Sequence, residues 1–216
     1  MPPSAAIIFD FDGVLADSIG LYYRLYRDVA TEFQRSFPPE SVGAFREWYN
    51  PRWEENYKRL GFSGYVREQA MKWVAERIDY GQVALFPGVK DMLQRLCQTY
   101  PLAIASTTSA RKIKRVLERE GLTACFQVVI GGGDEGSDKV KMVGEAWRTL
   151  GAPPHRTPMV GDTSMDVLSA RNWGLPCIAV TYGWMSRQRL ESFGPTVLVD
   201  QWMDLEPSLV RLLGAD

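Results

Sequence analysis

Asp10 and Asp12 stand two residues apart, directly after the apolar run Ala5-Ala6-Ile7-Ile8-Phe9 and just before Gly13. A bend at Phe11 and Gly13 can turn both carboxylates toward one cavity, where two acids share one reaction. The arrangement returns far downstream in Val160-Gly161-Asp162-Thr163-Ser164-Met165-Asp166, as an apolar run, a Gly turn and two acids one helical turn apart. Either cluster alone reads equally well as a helix cap or a turn. Four acids at two strand ends, however, repel one another unless a cation neutralises them. Hard carboxylate oxygens favour Mg2+, the usual companion of phosphate groups, so a Mg2+ cofactor and a phosphate-bearing substrate are expected.

Two further segments fit that chemistry. Ser106-Thr107-Thr108-Ser109 precedes a predicted helix, where hydroxyls and free backbone N–H groups can bind phosphate oxygens. One such hydroxyl is explained by capping; four in a row exceed what a cap needs. Lys139, after the loop expected over 131–138, offers a point charge able to bridge a carboxylate and a phosphoryl group. Lys141 competes for the same role. Arg52, Lys58 and Arg67 are candidate anion contacts, although each reads more readily as a surface side chain. The lone histidine, His155, lies in a Pro-rich loop and receives no catalytic role.

These residues need elements that bring them together. The run ending at Phe9 is short and apolar, as a buried parallel strand should be. Further strands are predicted over 102–105, 127–130, 158–160, 177–180 and 196–199. Helical periodicity fills 89–96, 110–120, 140–150 and 165–173 between them. Strand–helix alternation predicts an α/β fold, a doubly wound parallel sheet with ligands beyond the carboxyl ends of its strands. Residues 17–85 break the alternation, with helical patterns and no convincing strand. Ile19, Tyr22, Tyr26, Val29 and Phe33 share one helical face after an Asp17-Ser18 start, and Pro38-Pro39 and Pro51 break or kink the chain beyond it. A small helical cap domain over 17–85, inserted into a core of 1–16 and 86–216, is the expected organisation. The aromatics of this insert, among them Tyr22, Tyr26, Trp48, Tyr49, Trp53, Tyr57 and Trp73, suit its own core better than a pocket.

Composition narrows the function classes. Charged residues make up 24% of the 216 and the formal net charge is −1, with no basic stripe of the kind nucleic acid requires. The cluster Arg111, Lys112, Lys114 and Arg115 alternates with apolar residues, as the solvated side of a helix does. Cys97, Cys125 and Cys177 lack metal-ligand spacing and read as buried free thiols. No run reaches the length of a membrane span and no leader is evident. No membrane partner is expected, and the cytoplasm is the expected compartment.

Taken together, Asp10-Phe11-Asp12-Gly13-Val14-Leu15-Ala16-Asp17-Ser18, Ser106, Lys139 and Gly161-Asp162-Thr163-Ser164-Met165-Asp166 resemble, in order and context, the four motifs of the haloacid dehalogenase-like superfamily, in its branch with a helical cap after the first motif. Phe86-Pro87-Gly88-Val89, where the chain re-enters the core, is similar as well. Lys139 is preferred over Lys141 because its distance from Leu150-Gly151 resembles members with a single lysine there, although the usual Lys-Pro pair is absent. The resemblance implies an aspartyl-phosphate intermediate on Asp10, Asp12 as acid and base, and Lys139 as the catalytic cation. It also implies Ser106 and the Thr107 backbone on the phosphoryl oxygens, Mg2+ held by Asp10, the Asp12 carbonyl and Asp162, and Asp166 supporting through water. Asp12 is the acid that dehalogenating members lack, so phosphate esters are expected rather than carbon–halogen bonds. Phosphonate-cleaving members also depart there and use a cap lysine, which Lys58 or Lys72 could only mimic. The stretch through Tyr182-Gly183, just before Trp184, is similar to phosphoglycolate phosphatase-like members, which makes phosphoglycolate or a sugar phosphate the expected substrate. A phosphoglucomutase-like phosphotransferase is the alternative, and a binding protein without turnover the more distant one.

Overall fold

The computed structural model describes residues 3–132 and 138–214; part of the loop expected over 131–138, at 133–137, lies outside the described residues. β1 (Ile7–Phe9) is buried on both faces. Its side chains alternate, so Ile7 and Phe9 enter one apolar cluster and Ile8 enters another. The chain continues through α1 (Ile19–Glu32), α2 (Val42–Trp48), α3 (Trp53–Arg59) and α4 (Gly64–Arg77), none separated by a strand. It then runs through α5 (Val89–Leu96), β2 (Leu102–Ser106), α6 (Ala110–Glu120), β3 (Phe126–Gly131), α7 (Lys139–Leu150), β4 (Met159–Gly161), α8 (Ser164–Asn172), β5 (Cys177–Val180), α9 (Arg187–Glu191), β6 (Val197–Val199) and α10 (Leu205–Gly214).

All six strands pair in parallel, in the order β3-β2-β1-β4-β5-β6. The chain winds outward from β1 to β3, then crosses back to start β4 on the other side of β1. That reversal opens a crevice at the carboxyl end of β1, where ligands bind in open α/β sheets. Apolar residues of α5, α6 and α10 cover one face of the sheet, and those of α7, α8 and α9 cover the other.

Helices α1 to α4 enclose a third apolar cluster containing Leu25, Val29, Phe45, Tyr57 and Phe62. The two connections to this helical segment run side by side. Asp17 donates its N–H to the Ala84 carbonyl at 2.9 Å, and Phe86 donates to the Leu15 carbonyl at 2.9 Å. Both connections therefore pass within a few residues of Asp12.

Differences from the sequence expectation are small and have local causes. Helix α7 starts at Lys139 rather than 140 because the Asp138 carboxylate caps it, accepting from the Lys141 N–H at 3.2 Å. Helix α8 starts at Ser164 rather than 165 because Thr163 and Asp166 form a reciprocal capping box. Helix α10 was not expected, although Leu205, Leu209 and Leu213 recur at helical spacing and are buried against the sheet. The expectation of three buried thiols is corrected. Cys177 is buried in β5, but Cys97 and Cys125 are partly exposed. Their sulfurs lie 2.9 Å apart, since the end of α5 and the turn before β3 meet at one edge of the core. No helix among the described residues is long and apolar enough to cross a membrane.

Phe9 is fully buried immediately before Asp10. The Phe9→Ala protein is expected to lose roughly 3–5 kcal/mol of unfolding free energy, read by denaturant titration. A loss below about 1 kcal/mol would mean that the packing under the site is not as described.

Candidate active site

Phe9 lies opposite Ile104 of β2 and Val160 of β4. Asp10, Ser106 and Asp162 consequently emerge at the ends of three neighbouring strands. The Asp10 N–H is held by the Val160 carbonyl at 2.8 Å. From the first turn of α7, the buried Lys139 reaches across the strand ends. Its Nζ lies 2.7 Å from Asp10 Oδ2 and 2.8 Å from Asp166 Oδ1. Lys141 points the other way, 3.4 Å from Asp138, with 85% of its side chain exposed.

The loop carrying Asp162 is tied down from two sides. Asp166 Oδ2 accepts from the N–H groups of Asp162 and Thr163 at 3.2 and 3.0 Å and from the Thr163 hydroxyl at 2.8 Å. Asp162 Oδ2 accepts from the Trp184 N–H at 2.6 Å. Gly13, at φ +74°, passes so close to Asp162 that a Cβ there would lie 2.0 Å from Oδ2. Only glycine meets both conditions.

Asp12 is gripped by hydroxyls. Thr108 donates to its Oδ2 at 2.6 Å, and the Tyr80 phenol donates at 2.9 and 3.0 Å to the two oxygens. The Tyr22 and Tyr80 phenols are 2.8 Å apart. With the Tyr80 proton directed at Asp12, Tyr22 supplies the proton of that second contact. Tyr22 belongs to α1 and Tyr80 to the short 3-10 turn Tyr80–Gln82. The helical segment thus reaches Asp12 through both of its ends.

One lysine cannot balance the acids around it. One oxygen from each of Asp10, Asp162 and Asp166, all three buried, lies within 4.8 Å of the other two, a group that could hold a metal ion. Buried Asp162 Oδ1 has no hydrogen-bond partner among the described residues, so the donor set has an oxygen to spare for a hard cation. An aspartate at the end of the first strand, a buried lysine touching it and a second acidic loop at the next strand end are therefore all present in one crevice. Residues 7–180 match the family model for haloacid dehalogenase-like hydrolases. The chain belongs to this family.

Curated relatives of the chain include the phosphoglycolate phosphatase of Synechococcus elongatus, 31% identical over 96% of this chain and 98% of that protein. Another is the tyrosine-protein kinase PtkA of Mycobacterium tuberculosis, 28% identical over 89% of this chain and 67% of that one. Among solved structures, a haloacid dehalogenase-like hydrolase from Streptococcus pneumoniae superposes with a TM-score of 0.82, at 22% identity over 94% of this chain and 97% of that one.

Within this hydrolase fold the electrostatics are set by burial. Burial pushes the Asp10 carboxyl up to about 7, with Lys139 pulling it down and Asp166 pushing it further up. Burial likewise raises Asp162 well above the ordinary range, and repulsion from Asp166 and Asp10 adds to it. Burial opposes the Lys139 charge, but Asp10 and Asp166 outweigh that and its pKa is raised. Asp12 is raised by burial, with hydroxyls including Thr108 and Tyr80 acting in the opposite direction. Burial also raises Tyr80, which keeps the phenol protonated as a donor.

A cavity of about 450 Å³ opens over these groups, bounded by Asp10, Asp12, Thr107, Lys139 and Asp162 on one side and the helical segment on the other. Ser106 is buried at the end of β2 and Thr107 is exposed to the cavity. Arg52, Lys58 and Arg67 do not line it; Lys58 is paired with Glu55 at 2.6 Å. His155 is exposed and does not line it either. Of the seven aromatics expected to be core, Tyr22, Tyr26, Tyr49, Trp53 and Tyr57 line the cavity as well as packing together, whereas Trp48 and Trp73 do not line it. Sequence reasoning missed Thr108, Tyr80 and Trp184 as site residues. Thr108 had a signal, the surplus of hydroxyls after β2. Tyr80 had none, because its partner lies 68 positions away.

The Asp10 shift sets a pH test. A carboxyl whose folded pKa lies above its ordinary 3.8 stabilises the fold fully below that value. The contribution is lost as pH rises through about 7. Asn at this position does not titrate. In chelator, the melting temperature of Asp10→Asn minus that of the wild type should therefore grow from about pH 5 to about pH 8. A difference that stays flat or shrinks would contradict the burial-driven shift.

Proposed function

We propose that the chain is a Mg2+-dependent phosphatase that hydrolyses a small phosphorylated metabolite through a phosphoryl group carried on Asp10. The observation that carries this reading is the contact of Lys139 with Asp10 beside a second, separately held acid at Asp12. A carboxylate attacks a phosphate dianion only after its own charge is offset, and Lys139 does part of that. Mg2+, held by Asp10, the Asp12 carbonyl and Asp162, with Asp166 supporting, would supply the remaining positive charge and orient the phosphoryl oxygens.

The chain's own groups divide the work. Ser106 and the Thr107 backbone bind phosphoryl oxygens at the end of β2. Asp166 anchors Lys139 and the Asp162 loop. Asp12, raised by burial, carries a proton for the leaving oxygen in the first step and takes one from water in the second. Positioning and charge neutralisation are the terms that dominate phosphoryl transfer, and both are built from buried, fixed groups here.

The name of the Synechococcus relative makes phosphoglycolate the first ester to try, with sugar phosphates next. The compartment in this reading is the cytoplasm. Purified protein stripped of divalent ions should be inactive on a phosphate-ester panel and regain turnover with Mg2+, whereas Asp10→Asn should be inactive in both states. Activity indifferent to chelation, or retained by Asp10→Asn, would overturn the reading. Phosphoglucomutase-like transfer to a second hydroxyl would show as substrate loss exceeding phosphate release.

Tyr80→Phe removes one donor to the charged form of Asp12. The pKa that Asp12 imposes on the pH–rate profile should move upward and kcat fall roughly ten- to a hundredfold, no more than the lower end of the 10²–10⁴ that a whole positioned acid–base group supplies. An unchanged profile would show that the phenol does not set the Asp12 proton.

A further inference from the structure

The helical wall of the active-site cavity differs in chemistry from its catalytic wall. On α4, Glu68, Met71, Lys72 and Ala75 face the cavity at spacings of three and four residues, with Ile78 just past the end of the helix. Tyr49, Trp53 and Tyr57 extend the wall around α3. Trp184, from the loop after β5, closes the floor, with Tyr49 and Tyr22 edge-on to its ring at centroid distances of 4.5 and 4.8 Å. Its backbone N–H holds Asp162, so this aromatic floor starts beside the reacting acids. A Cβ on Gly13 would lie 2.4 Å from Cδ1 of the same indole. Trp184 is 4% exposed, and its indole N–H, the buried atom next to Cδ1, has no partner among the described residues.

We propose that the leaving group is a planar aromatic or heteroaromatic ring, carried on a phenolic or arylmethyl-type oxygen. This rests on the phosphatase reading above and narrows its substrate. Three observations carry it. The cavity, about 450 Å³, lies in the range of roughly 300–1,000 Å³ that encloses ring-bearing ligands, far more than a two-carbon acid fills. The wall opposite the catalytic groups presents ring faces and edges, which favour stacked or edge-on contact with another ring. A carboxylate there would need a cation. Among the described residues that wall offers Lys72, whose side chain is 72% exposed, 4.0 Å from Glu76, with Glu68 on the same face, and the other lysine lining the cavity besides Lys139 is Lys112 of α6, whose ammonium lies 5.8 Å from the Tyr80 ring centroid.

In the first step a bond forms between an Asp10 oxygen and phosphorus as the bond from phosphorus to the ring-bearing oxygen breaks. That oxygen takes the Asp12 proton and leaves as the phenol or alcohol. In the second step water oxygen bonds to phosphorus, its proton goes to Asp12, and the Asp10–phosphorus bond breaks to give inorganic phosphate.

Binding and turnover test the two layers separately. Equilibrium binding of 2-phenylethylphosphonate and 2-carboxyethylphosphonate to the Mg2+-loaded protein compares a ring with a carboxylate on the same ethylphosphonate, without needing hydrolysis. The ring compound is expected to bind at least about tenfold more tightly, the scale on which apolar pockets discriminate. Equal or tighter binding of the carboxylate overturns the inference whether or not the protein turns over. With benzyl phosphate, butyl phosphate and phosphoglycolate, all esters of primary alcohols, kcat/KM should be highest for the benzyl ester by a similar factor. Highest kcat/KM for phosphoglycolate overturns the inference and leaves the phosphatase reading standing. Loss of turnover on every ester overturns the phosphatase reading and leaves the binding comparison to judge the pocket. Met71→Lys, which puts a cation into the apolar wall, should narrow or reverse the ring preference in both measurements, and an unaltered preference would exclude this wall as the ring site.

Discussion

Three buried carboxylates, Asp10, Asp162 and Asp166, share one buried ammonium, that of Lys139. Leaving such groups unpaired away from water costs several kcal/mol each, so their neighbourhood has to be built around them. The capping box of α8 absorbs one oxygen of Asp166, the Trp184 N–H absorbs one of Asp162, and Lys139 reaches the other oxygen of Asp166 and one of Asp10. What is left over is a spare oxygen on Asp162 and an excess of negative charge. The tight passage of Gly13 over Asp162 has the same origin, because the loop after β1 has to close on the acid without covering it with a side chain.

The sheet order is what makes this concentration of charge geometrically available. β1 sits between β2 and β4, so motifs that are about a hundred residues or more from Asp10 in the chain end on strands adjacent to it. The helical segment enters and leaves beside the same strand end. Its two ends supply Tyr22 and Tyr80 to the Asp12 side of the crevice. Any movement of that segment relative to the sheet is thereby coupled to the hydrogen bonds of Asp12, while the Lys139 cluster is built entirely from sheet-side elements.

Legibility in the sequence depended on how local each determinant was. The run from Ala5 to Phe9 announces a strand because every residue in it is apolar, and the acids behind it announce a site because their spacing is short. Lys139 was harder, since Lys141 is equally close in sequence; the difference is the helix start fixed by Asp138, which turns one lysine inward and leaves the other in solvent. Tyr80 and Trp184 are invisible to spacing arguments because their roles arise from contacts across 68 and 22 positions. The cysteines were misjudged for a related reason. Apolar neighbours in sequence suggest burial, but Cys97, at the end of α5, and Cys125, in the turn before β3, are partly exposed.

The account centres on Asp10 as the residue that accepts the phosphoryl group, with Lys139 and Asp12 arranged around it. The most direct measurement is rapid acid quenching of the Mg2+-loaded protein during turnover of a labelled phosphate ester, with peptide mapping of the quenched protein by mass spectrometry. The account predicts a phosphoryl group on Asp10, present during turnover and absent from a sample quenched after substrate is exhausted. A phosphoryl group mapped to another residue, or turnover with no label retained on the protein at any quench time, would contradict it.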